Sequence, residues 1–196
     1  MNKYRILTDP LKEEKWINDI QKRGYRLKSL TLDFVYSFEK TDRDYITRID
    51  YQDHMSKAKF DEYVSIHEEF GWEHIRGGRF GMTFQVWSKT PDGNDEIYSD
   101  KESKIEFYKR YANMTAGFAV LCVIYMMLFL PDNPGLIFLT PGLWDMAGIV
   151  FWRAFLFELP FALLRILPVI LFPILAVIFF TAYSNMNKAK KELEKE

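Results

Sequence analysis

Hydrophobic and polar positions change rhythm along this chain at Arg110. Before it they alternate or recur at helical spacing; after it, long apolar runs dominate. Lys3–Thr8 is β-prone and predicts an edge strand. Asp9-Pro10 then opens a helix, Asp as N-cap and Pro at the first helical position. Glu13 and Glu14 occupy its first turn, where the helix dipole favours negative charge. Trp16, Ile17 and Ile20 form the buried stripe, and Gly24 suits the left-handed residue that ends a helix. Tyr25–Leu32 and Phe34–Lys40 alternate as strands, the second with Phe34, Tyr36 and Phe38 on one face. Tyr45–Tyr51 is a third, with Tyr45, Ile49 and Tyr51 on a common side. Ser56 caps a second helix, whose Phe60, Tyr63, Val64, His67 and Phe70 make a core-facing stripe closed by Gly71. Trp72–Arg76 and Gly81–Lys89 are strands again, separated by the turn Gly77-Gly78.

The order repeats. WINDIQKRGY (Trp16–Tyr25) is echoed by YVSIHEEFGW (Tyr63–Trp72), and two strands follow each, ending in Phe38–Thr41 and Trp87–Thr90. Two helix–strand–strand units, with Tyr45–Tyr51 as an extra strand between them, predict an α+β fold, an antiparallel-sheet sandwich, over residues 1–98. Ser99 and Glu102 form a capping box, so residues 99–110 are a juxtamembrane helix. No breaker separates that helix from Tyr111–Leu130, an uncharged stretch about as long as a bilayer-crossing helix, roughly 20 residues. One continuous helix from Ser99 to Leu130 would couple the two regions mechanically.

Beyond it, Leu130–Gly135 reads as a turn and residues 131–165 as an outer loop. Ile166–Ser184 is the second span, kinked at Pro173, and residues 185–196 are a charged tail. Gly142–Leu159 is apolar but carries Asp145, Arg153 and Glu158. It is read as an amphipathic helix in the outer interface, with Trp144 and Trp152 in the headgroup belt. Asp145 and Arg153, eight residues apart, lie within about 80° on a helix wheel.

Charge sharpens this division. Of 26 Lys and Arg and 27 Asp and Glu, twelve lie after Arg110. Lys104, Lys109 and Arg110 precede the first span and Lys188, Lys190 and Lys191 follow the second. Both basic flanks belong on the cytoplasmic side, giving a multi-pass cell-membrane protein with both termini inside. Signs alternate in the first 110 residues, with no basic stripe for direct nucleic-acid binding. Cys122, the single cysteine, lies in the first apolar run, so one chain has neither a disulfide nor a thiolate metal site.

Candidate chemistry adds little. His54, His67 and His74 show no metal spacing, and His67 reads as a satisfied core histidine. Gly77-Gly78 with Arg76 and Arg79 lacks the Lys-Ser/Thr of a phosphate loop. Asp42, Asp44, Asp50 and Asp53 read as solvated turn carboxylates. Trp16, Tyr25, Phe38, Tyr63, Trp72, Phe84 and Trp87 read as core. No catalytic, cofactor-binding or metal-binding residue is assigned. Asp145, Arg153, Glu158 and Arg165 are the candidate membrane or partner contacts, since charges near a bilayer need water, headgroups or partners.

Glu13–Leu27 (EEKWINDIQKRGYRL), the Phe38-Glu39-Lys40 strand end, Arg48-Ile49-Asp50-Tyr51, Glu69–Glu73 (EFGWE) and Glu96–Arg110 (EIYSDKESKIEFYKR) resemble, in that order, the bacterial family of unknown function DUF 2812. The resemblance covers residues 3–110. It implies a cytoplasmic α+β domain on a multi-span anchor and a regulatory role beside a PadR-type regulator, with no catalytic residues to carry over. The expectation is a non-enzymatic, membrane-anchored adaptor or sensor that binds the bilayer and a protein partner. The alternative is an accessory subunit of a transport or lipid-handling system that uses Gly142–Arg165.

Overall fold

Asp9 starts the first helix of the computed structural model as the sequence predicts. Its carboxylate accepts from the amides of Leu11 and Lys12 at 3.2 and 3.3 Å, ahead of α1 (Pro10–Gln21). The structure describes residues 1–6, 9–32, 34–81, 83–130 and 137–195. The elements are β1 (Asn2–Tyr4), α1, β2 (Tyr25–Thr31), β3 (Val35–Lys40), β4 (Ile46–Tyr51), α2 (Lys57–Glu69), β5 (Glu73–Arg76), β6 (Phe84–Lys89), α3 (Lys101–Phe129) and α4 (Gly148–Leu193). Leu7 and Thr8, the end of the predicted first strand, lie outside the described residues, as does most of the Leu130–Gly135 turn.

Two three-stranded antiparallel sheets form, in the orders β1-β3-β2 and β4-β6-β5. The α+β expectation holds, and the repeat is one strand longer than its sequence echo. β4 is not an extra strand between the units. It is the opening strand of the second unit, placed as β1 is in the first, so each unit is strand–helix–strand–strand with its last strand central. β1, predicted as an edge strand over Lys3–Thr8, is too short and exposed to show a periodicity that would tie it to β4.

One core joins the sheets. Ile17 and Ile20 of α1 pack with Leu27, Leu30, Tyr36 and Phe38 of the first sheet and Ile49 and Val86 of the second. β4 is an edge strand, and α1 side chains satisfy its amides. Asn18 Oδ1 accepts from the Thr47 amide at 2.8 Å, and Glu14 Oε2 accepts from that of Ile49 at 3.1 Å. Asn18 also donates to the Thr47 carbonyl at 3.0 Å, so the helix borrows strand pairing and closes the edge. Glu14 has its acidity weakened, its pKa pushed up chiefly by burial, while Arg48 beside it opposes the shift.

The chain divides into two units, residues 1–114 with 182–196, and residues 115–181. In the first unit Tyr51, Phe107, Tyr108, Tyr111 and Ala112 form a second core with Ala182 and Met186. Asn185 Nδ2 donates to the Asp9 carboxylate at 3.1 Å. Residues 185–196, set apart in sequence as a charged tail, are helical to Leu193 and help to build this core.

Within the second unit α3 and α4 lie side by side. Phe118 stacks on Phe179 at 5.3 Å, and Tyr125 and Phe129 stack on Phe172 at 5.2 and 5.9 Å. Both helices are long and apolar enough to cross a membrane. α3 is unbroken, as expected. The separate interfacial helix over Gly142–Leu159 is not what forms: Leu143–Asp145 is a short 3-10 turn, and one 46-residue helix, α4, runs from Gly148 through Pro160, Pro168 and Pro173. In apolar surroundings a helix satisfies its backbone internally, whereas a break would leave several polar groups unpaired at once.

Candidate functional site

The α2 stripe is where the first unit departs most from a closed core. Ser56 caps the helix, its hydroxyl accepting from the Lys59 amide at 3.3 Å, and Gly71 ends it at φ +80°. Yet none of its residues is fully buried: Tyr63 and His67 are half-covered, and Phe70 is 59% exposed. The stripe forms one wall of a cleft of about 630 Å³. The first turns of α3 and the segment from Asn94 to Ser99 complete its lining.

Asp50 lies at the base, only 2% exposed. It is not the solvated turn residue its sequence neighbours suggest but a buried carboxylate surrounded by hydrogen-bond donors. Oδ1 accepts from the Tyr51 amide at 2.7 Å and the Tyr98 hydroxyl at 3.1 Å. Oδ2 accepts from the Tyr63 hydroxyl at 2.8 Å and Gln52 Nε2 at 2.5 Å. Arg110 Nη2 stands 3.7 Å from Oδ1, and Arg110 Nε donates to the Tyr51 carbonyl at 3.0 Å. Four hydrogen-bond donors and the Arg110 guanidinium around one buried carboxylate fix β4, α2, the Tyr98 segment and α3 to one another.

The aromatic groups extend this network. Trp87 Nε1 donates to the Tyr63 hydroxyl at 3.1 Å, completing a relay Trp87–Tyr63–Asp50–Tyr98. Burial, and then the adjoining Asp50 carboxylate, raise the Tyr63 and Tyr98 phenol pKa values, so both stay neutral donors. His67 is satisfied as expected: Nδ1 meets the Tyr63 carbonyl at 2.7 Å, and its ring stacks on Trp87 at 4.6 Å. His74 packs on Trp87 at 4.5 Å, its Nε2 3.0 Å from Gln85 Oε1, and burial lowers its pKa. Gln85 in turn donates to the Gly78 carbonyl at 2.6 Å, so the Gly77-Gly78 segment is fastened to β6.

The four membrane-region candidates separate. Glu158 and Arg165 are brought together at 2.5 Å and hold the segment before α4. Glu158 accepts from the Leu139 amide at 3.0 Å and the Thr140 hydroxyl at 2.8 Å, and Arg165 donates to the Ile137 carbonyl at 2.7 Å. Seven residues, two helical turns, put both on one face of α4. Asp145 and Arg153 are exposed and form no ion pair among the described residues. Beside Arg165 an apolar groove of about 680 Å³ is lined by residues such as Leu128, Phe129, Phe161 and Pro168.

Sequence reasoning missed the cleft because its groups come from four separate segments. A detectable signal was the number of tyrosines, since Tyr63 and Tyr98 each need a partner for a buried hydroxyl. Among the described residues no group of three or more His, Cys, Asp or Glu is placed to hold a metal ion.

Neither a curated protein nor a solved structure matches the chain. A model of a family described as protein of unknown function, DUF2812, matches residues 9–120, from the N-cap of α1 through the Asp50 network and on into α3. That match spans more than half of the 196 residues, and the chain belongs to the DUF2812 family.

Proposed function

We propose that this protein is a membrane-anchored cytoplasmic adaptor or sensor, regulatory and non-enzymatic, whose α+β domain engages a protein partner. The observation that carries this is the second core of the first unit. The first turns of α3 and the last turns of α4 are both built into it, through Phe107 and Tyr111 on one side and Ala182 and Met186 on the other. A domain that grips the same end of two apolar helices suits a hairpin of two spans with both chain termini on one side. The basic flanks, Lys109 and Arg110 against Lys188, Lys190 and Lys191, favour the cytoplasmic side. The Asp50 carboxylate is saturated by hydrogen bonds, which supports a structural and signalling centre rather than a catalytic base.

Cysteine labelling in a Cys122→Ser background tests the topology. Asp42→Cys and Lys195→Cys should react with an impermeant maleimide only after cells are opened, and Trp144→Cys should react in intact cells. Labelling of Lys195→Cys in intact cells defeats the two-span arrangement. Crosslinking mass spectrometry on the same cells should recover a recurring protein partner, a PadR-type regulator among those expected. Repeated recovery of none defeats the adaptor role.

The Glu158–Arg165 pair beside an apolar groove favours a second reading, an accessory subunit in transport or lipid handling. It requires Glu158→Gln with Arg165→Gln to impair function more than changes on the surface of the α+β domain.

A further inference from the structure

The cleft against α2 has two unlike walls. Tyr63, Ile66, His67 and Phe70, at i, i+3, i+4 and i+7, make the apolar one, and Ile66 and Phe70 are 47% and 59% exposed. Ser99, Glu102, Ser103 and Glu106 repeat that spacing on the α3 side and make a polar, acidic one. Four carboxylates line the space, Asp50, Glu96, Glu102 and Glu106, against the single guanidinium of Arg110.

Ion pairs absorb part of that charge. Arg110 faces Asp50 at 3.7 Å, Arg48 and Lys104 each reach Glu96 at 3.5 Å, and Lys109 reaches Glu106 at 3.2 Å. Glu102 has no ion pair among the described residues. A cleft whose lining carboxylates outnumber its guanidinium, with Glu102 left outside the ion pairs, attracts a further cation. The aromatic wall points the same way. The Tyr63 and Tyr98 hydroxyls donate to a carboxylate, which enriches their rings and strengthens the attraction of their faces for cations. Trp72, also in the lining, already receives a cation: the Lys89 ammonium sits 4.9 Å from its ring centroid.

We infer that this cleft binds a small organic cation, an amine or amidinium on an aromatic or alkyl body. The body lies against Ile66 and Phe70, and the charge faces Glu102, Glu106 and the Tyr63 ring. A volume of about 630 Å³ falls in the range of small-molecule sites. A free carboxylate or phosphate would meet the acidic α3 wall and is disfavoured.

Three congeners with one indole body test the sign of the charge: tryptamine, neutral tryptophol and anionic indole-3-acetate. Benzyltrimethylammonium and benzamidine serve as further cations. Each is titrated calorimetrically into the full chain in a neutral detergent. Tryptamine should bind at least about tenfold more tightly than tryptophol, with indole-3-acetate weakest, one decade corresponding to about 1.4 kcal/mol. Raised salt should weaken tryptamine and leave tryptophol unchanged. Glu102→Gln with Glu106→Gln, two exposed positions, should weaken the cations about tenfold and tryptophol hardly at all, as expected for a charge term. Phe70→Ala should weaken tryptamine and tryptophol alike, and Asp42→Asn should change nothing.

Equal binding of the three indoles overturns the inference, as does binding that survives both cleft variants and so reports partition into detergent. Absence of binding by all three cations overturns it too. None of these results alters the labelling or crosslinking pattern on which the anchored-adaptor proposal rests, so the two fail separately.

Discussion

Asp50 shows how a single side chain acquires its role from distant parts of the chain. Its two tyrosine partners lie 13 and 48 residues away, and Arg110 lies further still. Nothing in the local run Asp42, Asp44, Asp50, Asp53 separates it from its neighbours, which is why sequence alone leaves it in solvent. Removing it takes away the shared acceptor of two phenol hydroxyls and the counter-charge of Arg110. Asp50→Ala should therefore cost about 3 kcal/mol, from the penalty for unsatisfied buried partners. Asp50→Asn should recover only part of this, because an amide turns a donor toward hydroxyls that themselves donate. Urea denaturation of the full chain in detergent, followed by tyrosine and tryptophan fluorescence, measures both. A loss under about 0.5 kcal/mol for Asp50→Ala, the range of an ordinary surface change, would show that the network does not hold the cleft together.

Among the elements, the start of α3 corrects a motif. Ser99 and Glu102 have the spacing of a capping box, but the helix begins at Lys101 and its cap is Asp100. The Asp100 carboxylate accepts from the Ser103 amide at 2.7 Å, and Ser99 donates its hydroxyl to the same carboxylate at 2.8 Å. Capping the helix pulls the Asp100 acidity stronger than usual, the Ser103 amide being the leading cause. Asp100→Ala should destabilise the start of α3 and Ser99→Ala should do so much less, the reverse of what the capping box requires. Amide exchange at Ser103 should quicken in the first and not the second. The other elements were legible wherever local chemistry governed them: Asp9-Pro10, Ser56, Gly24 and Gly71 each do what their residue type dictates. What stayed hidden was set by tertiary contact. The strand duty of Asn18 and Glu14 at the β4 edge depends on a partner 29 to 35 residues away. The kinship of β1 with β4 is visible only in the sheet order.

For the whole molecule, the family match and the folded unit do not coincide. The match ends at Val120, inside α3, while the first unit also includes residues 182–196. Met186, only 1% exposed, and Ala182 fill the space beside Tyr51, Phe107 and Tyr111, and Asn185 reaches the carboxylate that caps α1. The α+β domain therefore depends on the last turns of the second apolar helix, α4. Met186→Ala in the full chain should cost about 2–4 kcal/mol, as for other buried large-to-small changes. A chain ending at Arg110 should keep its far-UV circular dichroism signal and lose much of its near-UV signal, since the tyrosines of the second core lose their cover. Adding a synthetic peptide of residues 182–196 should restore part of that signal. The same peptide with Met186→Asp should not, because a carboxylate cannot enter an apolar site unpaired. Should the chain ending at Arg110 prove as stable as the intact protein, the C-terminal turns would be passengers on a self-sufficient domain. The grip on both helices, and with it the structural basis for anchored sensing, would then be lost.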